Sequence, residues 1–180
     1  MSSLELFPSL GSSAVFSACE TCGRTDLCED DHPRQVYRYM LSWKTSHADA
    51  RHVLFILANP STAIPKKPDP TVTRCINYGR DWGYGTVLVG NVRAWRETNP
   101  DWVPADPLAI GPYNDAILSL LIRLSDVVVC GWGKMGGPRG EEVLQLIRSC
   151  GKTPMALWRN QDGSPTHPLY QPKDSALFPL

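Results

Sequence analysis

The sequence predicts an α/β fold, on three observations. Apolar stretches rich in β-branched residues recur at 53–58 (VLFILA), 86–91 (TVLVGN), 126–131 (DVVVCG) and 153–158 (TPMALW). They are continuously apolar rather than alternating, as strands buried on both faces of a parallel sheet must be. Helical patterns fill the intervals, and alternation of strand with helix is the signature of this class.

The elements follow in order. Near the N-terminus, 14–17 (AVFS) and 36–41 (VYRYML) read as an added hairpin. The first core strand ends at Ala58. A helix over 69–82 starts with an Asp cap and has proline at its first position. After the second strand, 113–124 (YNDAILSLLIRL) places apolar residues at 117, 118, 121, 122 and 124, one helical face. The third strand leads to a helix over 138–150, which opens on Pro138 with Glu141 and Glu142 in its first turns and stops before Gly151. The fourth strand carries Pro154, which cannot donate to a sheet ladder.

A chain of 180 residues is long enough to bury a real core, and no repeat or linker divides it, so residues 1–180 are expected to form a single domain. A Cys-rich segment at 14–36 precedes a core at 37–180. Lys and Arg total 18 and Asp and Glu total 18, giving a formal net charge of zero. That argues against a non-specific nucleic-acid coat, which needs a basic footprint, and leaves room for a local basic cleft. No apolar run approaches the roughly 18 residues of a membrane span, so no membrane partner is expected. The opening MSSLELFPSLGSSAVFSACE has no basic start followed by a long apolar stretch, so a cytoplasmic location is expected. The six cysteines then read as thiols or metal ligands rather than disulfides.

In parallel sheets, ligands bind beyond the carboxyl ends of the strands. Here those ends are NPSTA (59–63), NVRAW (91–95), GWGKMGG (131–137) and RNQDGSPTHPLY (159–170), all polar or glycine-rich. Asn59-Pro60 is either an Asn-Pro turn or a carboxamide held at a pocket rim to position a water or substrate. Asp69 is a helix cap and also the carboxylate nearest that loop, hence a candidate general base. Asn91 offers a donor and an acceptor, the pair that reads a planar amide edge such as that of a pyrimidine base; a strand-end turn is the plainer reading. His167, between prolines, can donate to a developing oxyanion.

The run 131–136 (GWGKMG) is a literal GxGxxG between strand and helix. No acidic residue ends the next strand at the expected spacing, so a phosphate held by backbone amides and Lys134 or Arg139 fits better than a dinucleotide, and no organic cofactor is expected. Cys19, Cys22, Cys28 and His32 (CETCGRTDLCEDDH) have the ligand types and spacing of a small zinc knuckle, a candidate structural zinc site. An iron–sulfur cluster recruiting Cys75, Cys130 or Cys150 is a second option, and a metal-free loop a third. Tyr78, Trp82, Tyr84, Trp95 and Trp132 fall near strand ends, where aromatics stack on bases or fill cores.

These pieces come in a known order. YRYML, FILANPSTA, DPTVTRCINYGRDWGYG, GNVRAWRETNPD, DPLAIGPYND, the WG of GWGKMGG and SPTHPLY together resemble the DUF1643 family of uncharacterised bacterial and phage domains, over 37–180. More remotely, the motif order is similar to that of the uracil-DNA glycosylase superfamily. Asn59-Pro60 matches its water-activating loop, Asn91 its base-reading asparagine, Trp132-Gly133 the end of its third strand, and His167-Pro168-Leu169 part of its late loop. Here His-Pro-Leu-Tyr replaces the usual His-Pro-Ser-Pro-Leu.

That resemblance implies a three-layer α/β/α sandwich around a mostly parallel four-stranded sheet, with the N-terminal hairpin added. It implies hydrolysis of an N-glycosidic bond to a base in DNA or in a nucleotide, the base flipped out or already unpaired. Asn59, with Asp69, would hold the water and His167 would stabilise charge on the departing base. Asn91 would read the base and Tyr84 stack on it, with Pro60, Trp132 and Gly133 shaping the pocket and Ser61, Arg74 and Arg139 contacting phosphate. The alternative is a non-catalytic module that binds a nucleotide or modified base, because a neutral asparagine is not a strong base.

Overall fold

The computed structural model describes residues 13–19, 25–28, 35–64 and 67–180. It is an α/β structure built on a mixed eight-stranded sheet in the order β2-β1-β3-β5-β4-β6-β7-β8. The strands are β1 (Ser13–Cys19), β2 (Thr25–Cys28), β3 (Gln35–Lys44), β4 (His52–Leu57), β5 (Thr86–Asn91), β6 (Val127–Cys130), β7 (Pro154–Ala156) and β8 (Phe178–Pro179). The helices are α1 (Pro70–Asp81), α2 (Asn114–Leu124) and α3 (Gly137–Ser149).

β5-β4-β6-β7 run parallel, with Val53 opposite both Val87 and Val127. Antiparallel strands flank them: β3 pairs with β5 and β8 with β7. The N-terminal hairpin forms between β1 and β3, Ala14 opposite Ser42 and Val15 opposite Leu41, and β2 adds an outer strand on β1 that the sequence reading does not anticipate. β8 is unanticipated too, because two residues carry no periodicity. Pro154 stands at the first position of β7, where its missing N–H costs no ladder bond.

The side chains of β4 alternate between two cores. Leu54 and Ile56 pack with Leu118, Leu121 and Ile122 of α2 and with Val143 and Ile147 of α3. Val53, Phe55 and Leu57 pack on the opposite face with Val72, Cys75 and Tyr78 of α1. Burial of both faces is the physical reason β4 reads as an unbroken apolar run. A side chain such as Ile122, fully buried, contributes about 2 kcal/mol through loss of apolar surface from water.

Asp69 caps α1, accepting from Val72 N at 2.8 Å, and Pro70 opens the helix. Tyr78 and Trp82 stack on each other (5.1 Å) and on Phe55 (6.4 and 6.0 Å), so these two aromatics are core residues rather than base-stacking surfaces. No helix among the described residues is long and apolar enough to cross a membrane.

Candidate functional site

A cavity of about 330 Å³ opens at the carboxyl edge of the parallel strands, within the usual range of small-ligand sites. The loops after β4 and β6, the end of β5, the start of α1 and the late loop all reach it. Of the predicted residues it brings together Asn59, Ser61, Asp69, Asn91, Trp132, Gly133 and His167.

Asn91, the last residue of β5, is 1% exposed, and neither its Oδ1 nor its Nδ2 has a hydrogen-bond partner in the protein. A buried carboxamide normally satisfies both groups, and leaving them unpaired costs about 1–3 kcal/mol. Its backbone is gripped instead: Asn114 Nδ2 donates to the Asn91 and Val92 carbonyls (3.0 and 3.1 Å), and Arg139 Nε donates to the Val92 carbonyl (3.0 Å). The peptide is fixed while both polar atoms of the buried amide stay unpartnered at the cavity wall.

Asn59 is anchored at one end. Nδ2 donates to the Glu97 carbonyl at 2.7 Å and to the Pro60 carbonyl at 3.1 Å. Only the amide nitrogen can donate to two carbonyls, so Oδ1 is the atom left to accept a hydrogen bond. Glu97 N donates to the Pro60 carbonyl (3.0 Å) and Arg93 N to the Ala58 carbonyl (3.1 Å), stitching this loop to the segment after β5. Pro60 is buried within the stitch and shapes the loop without lining the cavity. Asp69 combines both readings: its Oδ1 caps α1 while the residue lines the cavity.

His167 Nδ1 accepts from Leu169 N at 3.4 Å. An accepting Nδ1 leaves the proton of the neutral ring on Nε2, which becomes a donor. Burial holds the imidazole pKa below its ordinary value, with the nearby Asp69 carboxylate partly opposing. The folded protein therefore favours neutral His167. Between the folded pKa and the unfolded value of about 6.5 the unfolded chain binds more protons, so stability rises with pH in that window. This contribution is complete above the unfolded pKa and fades as pH falls toward the folded one. Thermal melts from pH 7.5 down to 5 should show this loss, and His167→Gln should flatten that part of the profile. An unchanged profile would mean that His167 does not carry it.

Gly131 and Gly136 of GWGKMGG, and Gly140 beyond it, have packing causes. A Cβ at Gly136 would lie 2.1 Å from Trp132 Cδ1, and one at Gly140 would lie 2.7 Å from Trp132 Nε1. A Cβ at Gly131 would lie 2.7 Å from Pro168 Cδ, and Gly133 has φ +61°. The motif seats the Trp132 indole, 3% exposed, as a cavity wall and lets the His167-Pro168 loop approach β6.

Other predicted residues lie elsewhere. Tyr84 precedes β5, so it stands at the amino end of the sheet, its ring under the Arg51 guanidinium (5.2 Å) and its carbonyl bonded by Thr45. It cannot stack on a base beside Asn91, at the other end of a six-residue strand. Arg139 is 4% exposed and committed to the Val92 carbonyl, Asp115 and Glu142, so it is a structural brace rather than a phosphate ligand. Arg74, on α1, does not line the cavity. Trp95 packs edge-on against Tyr37 at 5.6 Å.

Cys22 and His32 of the proposed zinc knuckle lie outside the described residues, and Cys19 and Cys28 are described only as strand backbone. No group of three His, Cys, Asp or Glu placed to hold a metal occurs among the described residues. Cys75 packs on the α1 face, while Cys130 and Cys150 pack on the α3 face, so an iron–sulfur cluster cannot draw on both sides. Burial pushes the Cys75 and Cys130 thiols up.

The residues 38–169 match the model of the family described as "Protein of unknown function (DUF1643)", well over half of the chain. The chain belongs to this family. No curated protein and no solved structure matches it. The DUF1643 match starts at Arg38 and runs to Leu169, and so spans every cavity residue named above.

Cavity residues not anticipated from the sequence include Arg38 and Met135, within the DUF1643 match, and Tyr170, one residue beyond it. Arg38, 3% exposed on β3, lines the wall and donates through Nη1 to the Ala63 carbonyl at 2.5 Å. Its signal is an arginine inside a strand whose neighbours are all buried. Tyr170, 79% exposed, stands at the rim with its ring 5.5 Å from that of His167. Met135 separates the cavity from a second groove of about 400 Å³, which Arg93, bidentate to Asp106, helps to line.

Proposed function

We propose that this cavity is a base pocket and that the protein is a glycosylase-like hydrolase cleaving the N-glycosidic bond to a base in DNA or in a nucleotide. The observation that carries this reading is Asn91, a buried carboxamide with both hydrogen-bonding groups unpartnered, in one cavity with Asn59, Asp69 and His167. A base edge supplies the acceptor and donor that Asn91 lacks.

Asn59 Oδ1, fixed by the anchoring of its Nδ2, orients the attacking water, and Asp69 is the carboxylate available to receive its proton. His167 Nε2–H donates to the negative charge that builds on the departing base. Tyr170 takes the stacking role expected of Tyr84. The arrangement of helices on both sheet faces around four parallel strands, with these residues at successive strand ends, supports a three-layer relative of the uracil-DNA glycosylase superfamily. The site does not need a metal ion or organic cofactor for this chemistry.

The alternative is a module that binds the same ligand without cutting it. Asp69 favours this reading in one respect, since one of its carboxylate oxygens is occupied in capping α1. The experiment is an assay of free base released from a panel of deaminated and modified oligonucleotides, nucleotides and nucleosides, with binding measured in parallel by thermal shift. Release supports the hydrolase. Stabilisation without release supports the binding module, and the absence of both overturns the pocket assignment.

A further inference from the structure

A further cavity, of about 360 Å³, lies beyond the ends of β6 and β7, and it shares Trp132 and Lys134 with the base pocket. Three cationic side chains line it: Lys134, Arg148 and Arg159. They come from three separate elements, the loop after β6, the last turn of α3 and the loop after β7, so only the fold brings them together. Lys134 is exposed on the ridge between the two cavities.

The guanidinium groups are lightly used. Arg148 Nη2 reaches the Leu180 main-chain oxygen at 3.5 Å, and Arg159 Nη2 reaches the Pro179 carbonyl at 3.3 Å. Each guanidinium has five N–H donors, so most remain available to an anion, and Arg is well suited to phosphate. Two carboxylates, Glu141 and Asp162, also line the cavity. Asp162 is turned into its own loop, where Oδ1 accepts from Ser164 N (3.0 Å) and Oγ (2.6 Å).

We infer that this cavity is the phosphate subsite for the nucleotide whose base enters the neighbouring pocket. Lys134 bridges the two parts of the ligand, and Arg148 and Arg159 hold the phosphate oxygens. The inference rests on the base-pocket reading for its ligand, but its cationic half can be tested alone. The shared chemistry is a phosphate ester, either of a free nucleotide or of a nucleic-acid backbone.

The experiment is calorimetric titration with inorganic pyrophosphate, with nucleosides, with their 5′-monophosphates and with single-stranded trinucleotides. Wild-type protein should bind pyrophosphate, and the monophosphate of the preferred nucleoside should bind about tenfold more tightly than the nucleoside. Arg148→Gln combined with Arg159→Gln should abolish that ratio and pyrophosphate binding while leaving nucleoside affinity unchanged. Asn91→Ala should weaken nucleoside and monophosphate alike and leave pyrophosphate binding intact. A trinucleotide that binds more tightly than the monophosphate assigns the subsite to a backbone phosphate, and the reverse assigns it to a free nucleotide. Absence of pyrophosphate binding, or a monophosphate ratio that survives the double replacement, overturns the subsite without touching the base pocket. If no nucleoside binds while pyrophosphate does, the base-pocket reading falls and the anion site stands.

Discussion

Asn91→Leu should make the protein more stable and its ligand binding weaker. The two side chains are similar in size, and the position is fully buried at the end of β5. Replacing an unpartnered carboxamide with an apolar group removes a desolvation penalty of about 1–2 kcal/mol. For a chain of this length that corresponds to a rise of about 2–8 °C in melting temperature. Loss of the donor and acceptor that read the base edge should weaken binding by about 10- to 100-fold. Stability gained as function is lost is the mark of a group kept for a ligand. Thermal melts and titration of the same variant check both halves. A melting temperature several degrees lower with binding retained would make Asn91 a structural residue.

Asn59→Ala should lower base release by about 100-fold or more while leaving ligand affinity nearly unchanged. The amide oxygen is proposed to act only on the water, whereas Asn91 holds the base, so the loss should appear in kcat rather than in KM. The loop should survive the change, because the Glu97 N–Pro60 O and Arg93 N–Ala58 O bonds are backbone pairs that the substitution does not touch. Single-turnover assays on the substrate found by the base-release panel, together with a melting curve, provide the check. Release within about threefold of wild type would remove Asn59 from the reaction.

Much of the architecture was legible in the chain because its periodicities are clean. The stretch 86–91 is the strand β5, and the helices begin and end within a residue of their caps. β2 and β8 were not legible, since they are short edge strands whose formation depends on a neighbour rather than on their own pattern.

The site divides along the same physical line. Asn59, Asn91 and Trp132 follow from one rule, that residues at or just past the carboxyl ends of parallel strands share an edge, and His167 reaches that edge on the long loop after β7. Tyr84 fails by that rule read in reverse, because a residue just before a parallel strand lies at the opposite edge. Arg139 was misjudged and Arg38 overlooked for a different reason. A sequence gives the identity of an arginine, while its role is set by whether the guanidinium turns toward carbonyls or toward a cavity. Asn114 was overlooked because a helix-start asparagine reads as ordinary, and its grip on the Asn91 and Val92 carbonyls is visible only in three dimensions.

The hydrogen bonds that tie Ala58, Asn59 and Pro60 to Arg93 and Glu97 have a thermodynamic consequence for recognition. They make the wall of the pocket part of the sheet rather than a flap, so its ordering entropy is spent during folding and not at the moment of encounter. A ligand then meets a receptor already in its bound shape. Association should follow a single second-order phase, with no slower isomerisation behind it.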